Sequence, residues 1–97
     1  MYARMSRAAV KPGKHDDIKA KIDALRKETH DLPGVKFWMS LLSSDGVLTV
    51  IGGYPDKATC EGTSHVNKAR WESAQDLLQE SPTIIEGEII AFMAPRE

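Results

Sequence analysis

Apolar and polar residues recur along this chain with two different periods, and the order of the periods outlines an architecture. Tyr2 to Val10 reads as a strand. Lys11-Pro12-Gly13 closes it in a turn, since proline fixes φ and glycine admits positive φ. From Asp16 to Thr29 the period lengthens, and Ile18, Ile22 and Leu25 share one face of a predicted helix. Asp16 and Asp17 stand at its N-terminal end and Arg26 and Lys27 near its C-terminal end, as the helix dipole favours. Asp17 with Lys21, and Asp23 with Lys27, form i,i+4 pairs. Leu32-Pro33-Gly34 stops the helix.

Val35 to Ser43 reads as a second strand, Ser44-Asp45-Gly46 as a hairpin turn, and Val47 to Gly53 as a third strand. Tyr54-Pro55-Asp56 ends that strand and offers Asp56 as an N-cap. A second helical region follows from Lys57 to Gln79, broken or kinked at Gly62-Thr63-Ser64. Its later part carries an apolar stripe of Val66, Ala74, Leu77 and Leu78. Ser81-Pro82 ends the region, Thr83 to Ala94 reads as the last strand, and Pro95-Arg96-Glu97 is left as a tail. The order is β-α-β-β-α-β over a single domain, residues 1–97. It predicts an α+β, ferredoxin-like split βαβ fold: a four-stranded antiparallel sheet with two helices on one face.

Two helices cover one face of such a sheet, and a wet second face should be polar. These strands are apolar on both sides. Phe37, Met39 and Leu41 oppose Trp38 and Leu42; Val47 and Ile51 oppose Leu48 and Val50. In the last strand Ile84, Ile90 and Phe92 oppose Ile85, Ile89, Ala91 and Met93. An apolar patch of that size calls for a cover. The same face of a second chain, across a two-fold axis, supplies one; the alternative is a cover made of long side chains and the tail.

Composition narrows the partners. The formal net charge is -1, which provides no global field for nucleic acid or an anionic membrane. No apolar run approaches the ~20 residues that cross a bilayer, and Met1 to Arg7 lacks a signal-peptide core. Cys60 is the single cysteine, which excludes an intrachain disulfide and points to a reducing cytoplasm. Cys60 itself reads as a small buried apolar residue, with no basic cluster beside it to activate the thiol.

The pattern of turns resembles a known family. The features are a first strand ending in Val10-Lys11-Pro12-Gly13, a helix ending in Leu32-Pro33-Gly34-Val35, and a hairpin into a glycine-ended strand. Tyr54-Pro55-Asp56-Lys57-Ala58 then leads into the second helix, and Ile84-Ile85-Glu86-Gly87-Glu88-Ile89 lies in the final strand. Together they resemble the antibiotic-biosynthesis-monooxygenase-like group of dimeric α+β barrels, over nearly the whole chain. The resemblance implies a homodimer joined through its sheet faces, with a pocket between sheet and helices in each protomer. It implies a choice among cofactor-independent oxygenases of phenolic or quinol substrates, heme-degrading monooxygenases, isomerases of small sugar-like signals, and proteins without an assigned role. Fold does not choose among these. The heme-degrading members use an Asn on the first strand with a Trp and a His from the second helical region. This chain has Ser6 at the first place, and Ser73, Ala74 and Gln75 where the His is expected. These departures argue against heme, and no cofactor is expected.

Few residues announce chemistry. His15, His30 and His65 are far apart and make no metal motif. No phosphate loop, dinucleotide turn or nucleophile elbow is present. His65 is the one imidazole near the break in the second helical region, and is a candidate general base if the kink turns it inward; otherwise it is an exposed residue at a helix start. Arg4 and Ser6 point to one side of the first strand. An Arg in a strand needs a carboxylate partner, and Glu86 and Glu88 share a face of the last strand. The group is either a rim salt bridge or a polar floor that orients a substrate oxygen. Trp71, at the border of the apolar stripe, and Trp38, in the second strand, either line a site for a small aromatic molecule or fill the core. The two functional readings are a cofactor-independent monooxygenase of a phenolic or quinol-like substrate and a non-catalytic dimeric ligand-binding or interaction module.

Overall fold

The computed structural model describes residues 1–93. Its elements are β1 (Tyr2–Ala9), α1 (His15–His30), β2 (Phe37–Leu42), β3 (Val47–Tyr54), α2 (Lys57–Gly62), α3 (Ser64–Ser73) and β4 (Thr83–Glu88), with a 3-10 turn at Gln75–Leu77. The strands form one antiparallel sheet in the order β2-β3-β1-β4. This is the expected ferredoxin-like α+β arrangement.

Each turn has a local cause. Gly13, Gly34 and Gly46 all take positive φ, in the β1–α1, α1–β2 and β2–β3 connections. Asp56 caps α2, accepting from the Thr59 backbone N–H at 2.8 Å and from Thr59 Oγ1 at 2.7 Å. The break between α2 and α3 falls at Thr63, immediately after Gly62. It leaves the Cys60 carbonyl with acceptor capacity that a continuous helix would use. That carbonyl accepts instead from the Thr63 N–H at 3.1 Å, from Thr63 Oγ1 at 2.8 Å and from Arg4 Nη2 at 2.7 Å.

The core lies between the helices and one sheet face. Ala8, Val10, Ile18, Leu48, Trp71, Ala74 and Leu78 are buried together, with Ile22, Leu42, Val50 and Leu77 packed around them. Ile18 and Ile22 come from the predicted stripe of α1, and Ala74, Leu77 and Leu78 from that of the second helical region. Strand register sets the faces: Trp38 and Leu42 stand opposite Gly52 and Leu48 on the helix side, while Met39 stands opposite Ile51 on the other. On that open side Met39 is 52% exposed, Leu41 59% and Ile85 56%.

The last strand differs from expectation. It was predicted to run from Thr83 to Ala94; pairing ends at Glu88, and Ala94 lies outside the described residues. The physical reason is the ladder. Glu88 pairs with Tyr2, the first residue of β1, and Ile89 donates one more bond to the Met1 carbonyl. Beyond that point β4, an edge strand, has no neighbour. The chain then turns over a row of small residues on the open face, Gly87, Ala3 and Gly53. Phe92 stacks on Phe37 with centroids 5.2 Å apart and ring planes at 19°. The segment therefore covers one end of the open face and leaves Met39, Leu41 and Ile85 bare.

Candidate functional site

A strand that faces helices should present apolar side chains, yet β1 presents Arg4, Ser6 and Ala8, at 3%, 1% and 3% exposure. The guanidinium is accommodated because nearly every donor is used. Nε donates to Glu86 Oε2 at 2.6 Å, directly across the β1–β4 ladder. Nη1 donates to Thr63 Oγ1 at 3.0 Å, and Nη2 to the Cys60 carbonyl at 2.7 Å and to Ser64 Oγ at 2.9 Å. The Tyr54 ring lies beneath, its centroid 5.7 Å from Cζ. Arg4 thus ties the α2–α3 break to the sheet. Glu86 is the carboxylate partner expected for it; Glu88 makes no ion pair with it.

Between α3 and β4 the structure opens into a groove of 670 Å³. Its size is that of sites for small organic ligands. Arg4 and Trp71 form its floor, Leu78, Pro82 and Ile84 supply apolar wall, and Glu86 faces it from β4. Trp71 is 7% exposed and belongs to the core cluster as well. Trp71 therefore touches both the packed core and the groove. The helical path ends at Ser73 and gives way to the short 3-10 turn, and the groove runs along α3 and that turn on one side and β4 on the other.

The other candidates occupy different places. Ser6 is buried behind α3, where Asn67 Nδ2 donates to its Oγ at 3.4 Å. It lines a space of 30 Å³, about the size of one water. Trp38 borders that space, a second of 40 Å³ beneath α1, and an open surface groove of 260 Å³ between the end of α1 and β2, away from Arg4 and Ser6. His65 is exposed on α3 and lines neither the α3–β4 groove nor these spaces. The break at Thr63 turns Ser64 and Asn67, rather than His65, toward the sheet. Cys60 is fully buried, and burial pushes its thiol above the usual range, with Arg4 opposing the shift and Glu86 adding to it.

Sequence reasoning missed Asn67, Lys68, Glu72, Gln75 and Asp76 as groove residues. A signal existed: Ser64, Asn67, Trp71 and Gln75 recur at spacings of three and four, so polar groups share a helical face with a large aromatic. A face that is wholly core does not look like that. Among the described residues no group of His, Cys, Asp and Glu is placed to hold a metal ion.

No protein-family model matches the chain, and no curated protein matches it in sequence. Solved structures do share its fold. A protein of unknown function from Nitrosomonas europaea is 20% identical, with a TM-score of 0.84 over 99% of this chain and 95% of that one. A protein from Mycobacterium tuberculosis is 18% identical, with a TM-score of 0.75 over 96% and 98%. An antibiotic biosynthesis monooxygenase is 16% identical, with a TM-score of 0.75 over 94% and 100%. The chain has the fold of the antibiotic-biosynthesis-monooxygenase-like proteins, as the pattern of its turns suggested. Identities this low establish fold and leave activity open.

Proposed function

We propose that the chain, as one domain, is a small-molecule monooxygenase that oxidises a phenolic or quinol-like substrate in the α3–β4 groove without a cofactor. The observation that carries this reading is the groove itself: 670 Å³, with an indole wall and a buried guanidinium in its floor. A flat ring would lie against Trp71, Leu78 and Ile84 with its hydroxyl toward Arg4 and Glu86. Four of the five guanidinium N–H groups are bound within the fold, and the second Nη1 hydrogen is left to hold a phenolate oxygen. Glu86 Oε1, with no hydrogen-bond partner among the described residues, would take the phenolic proton.

The chemistry balances without an external reductant. The phenolate passes one electron to dioxygen, and the radical pair combines at the ring carbon para to the oxygen. The resulting peroxide loses water as the para C–H bond breaks. One phenol and one dioxygen give one quinone and one water. The protein contributes orientation, a proton acceptor and a donor to the anion.

The working unit in this reading is a homodimer joined through the open sheet faces, where Met39, Leu41 and Ile85 stand exposed. Among the described residues no helix is long and apolar enough to cross a membrane. With its one thiol free and buried, the chain suits a reducing compartment, and we place it in the cytoplasm.

A second reading has its own support. Arg4 spends most of its donors on the fold, which suits a groove that holds a ligand without transforming it. Oxygen uptake separates the two. A panel of naphthols and naphthalene diols is incubated with the protein in an oxygen-electrode cell, against the uncatalysed rate, while Trp71 emission is followed in a Trp38→Phe background. Uptake of one dioxygen per quinone formed from a naphthol, with no hydrogen peroxide released, supports the oxygenase. Quenching without uptake supports the binding module. If no compound perturbs Trp71 and Trp71→Ala unfolds the chain, the ring is packing and both readings fail.

A further inference from the structure

The groove has a charge pattern that narrows its ligand. Its lining carries four carboxylates, of Glu72, Asp76, Glu80 and Glu86, against the two cations Arg4 and Lys68. Arg4 and Glu86 neutralise each other at 2.6 Å. Glu72, Asp76 and Glu80 are exposed, and among the described residues none of them is in an ion pair. Among the described residues the mouth is therefore acidic, with Lys68 the one exposed cation that opposes it. The floor offers an anion one free donor and no bidentate grip: Glu86, Thr63, Ser64 and the Cys60 carbonyl occupy the rest of the Arg4 guanidinium.

We propose that the ligand of this groove is a flat aromatic molecule bearing a protonated amine, and that the groove discriminates against carboxylated or sulfonated aromatics of the same size. The inference rests on the groove being a ligand site, as argued above. The ring takes the apolar wall of Trp71, Leu78, Pro82 and Ile84, and the ammonium reaches the rim carboxylates from α3 and the 3-10 turn. A cation at the edge of the ring also suits the indole face. The arrangement has a consequence for oxidation. An acidic mouth opposes ionisation of a neutral phenol, because the phenolate would add one more negative charge. An amine-bearing phenol becomes a zwitterion when its hydroxyl ionises, and brings its own counter-charge into the site.

The test uses three ligands of equal shape: 1-naphthylmethylamine, 1-naphthalenemethanol and 1-naphthoic acid. Each is titrated into the ¹⁵N-labelled full chain at pH 7 and low salt, with the two indole N–H resonances as readout. The Trp71 resonance should move with all ligands that bind, with the amine tighter than the alcohol by roughly tenfold and the acid weakest. Raising the ionic strength toward 0.5 M should erase most of the preference, because exposed charges are screened over a few ångströms there. A Glu72→Gln, Asp76→Asn, Glu80→Gln triple variant should bind amine and alcohol alike. Equal binding of all three ligands, or a preference for the acid, overturns the inference and leaves the groove as a ligand site. No movement of the Trp71 resonance with any of the three overturns the ligand site and the inference together.

Discussion

Arg4 and Glu86 stand directly opposite each other on β1 and β4, with Nε and Oε2 2.6 Å apart. Their side chains differ in solvent access: 4% for Arg4 and 30% for Glu86. The pair is asymmetric for that reason. A lost guanidinium leaves a carboxylate that water can reach and takes one donor each from Thr63 Oγ1, Ser64 Oγ and the Cys60 carbonyl, which keeps its two bonds from Thr63. A lost carboxylate leaves a buried cation that retains its other acceptors.

Glu86→Gln, which leaves the guanidinium buried without its counter-charge, should therefore destabilise the fold by about 3 kcal/mol, and Arg4→Met, which leaves a carboxylate that water reaches, by about 2 kcal/mol. Urea unfolding at one fixed protein concentration measures both. The double variant should cost less than the sum, since the two share one contact. A Glu86→Gln cost well below that of Arg4→Met would show that the bonds to Thr63, Ser64 and Cys60 satisfy the guanidinium without its counter-charge.

The open sheet face leads to a prediction about assembly. Ile85 lies on it, opposite Met5 and 56% exposed, where a partner would cover it. Burying such a side chain stabilises by about 1.5–3 kcal/mol. The wild-type chain should sediment as a dimer at micromolar concentration, and Ile85→Asp should give monomers or insoluble protein. A wild-type chain that stays monomeric at high concentration would remove the basis for a sheet-to-sheet dimer.

Cys60 offers a test in which pH carries the information. Its thiol titrates near 9.0 in an ordinary setting and higher in the fold, chiefly because it is buried. The folded chain then holds a proton that the unfolded chain releases. The associated stability is intact below the unfolded value and is lost as pH rises through the folded one. The native protein should resist a thiol reagent at pH 8 and react once unfolded in urea. Stability should fall more steeply above pH 9 in the wild type than in Cys60→Ala. Rapid labelling of the native thiol would contradict the burial.

Much of this architecture was readable in the chain, and the reasons are local. Gly13, Gly34 and Gly46 mark reversals that need positive φ, and Asp56 caps the helix its position suggested. The partnership of Arg4 with Glu86 followed from the expense of an unpaired guanidinium in a strand. Three things were not readable. Where β4 ends depends on where β1 stops offering partners, which is a property of the pair. Where the break in the second helical region turns His65 depends on the rotation at Thr63, which periodicity does not give, although the stripe of Ala74, Leu77 and Leu78 beyond the break does reach the core. The groove lies between α3 with its 3-10 turn and an edge strand, and no single residue encodes such a space. Trp38 and Trp71 look alike in sequence; both touch the small space beneath α1, and of the two Trp71 also borders the α3–β4 groove.

The Phe37 ring lies flat over Gly53, where any Cβ would overlap it, and then receives Phe92 on its other face. The arrangement acts as a latch on alignment. If the β2–β3 hairpin slipped by two residues, Phe37 would meet Ile51 or Pro55 in place of the bare backbone. A slip by one would carry Trp38 out of the core. Only one closure of the hairpin seats the ring. Misaligned hairpins should therefore reopen during folding rather than persist, and Phe92 can dock only after the right one has formed.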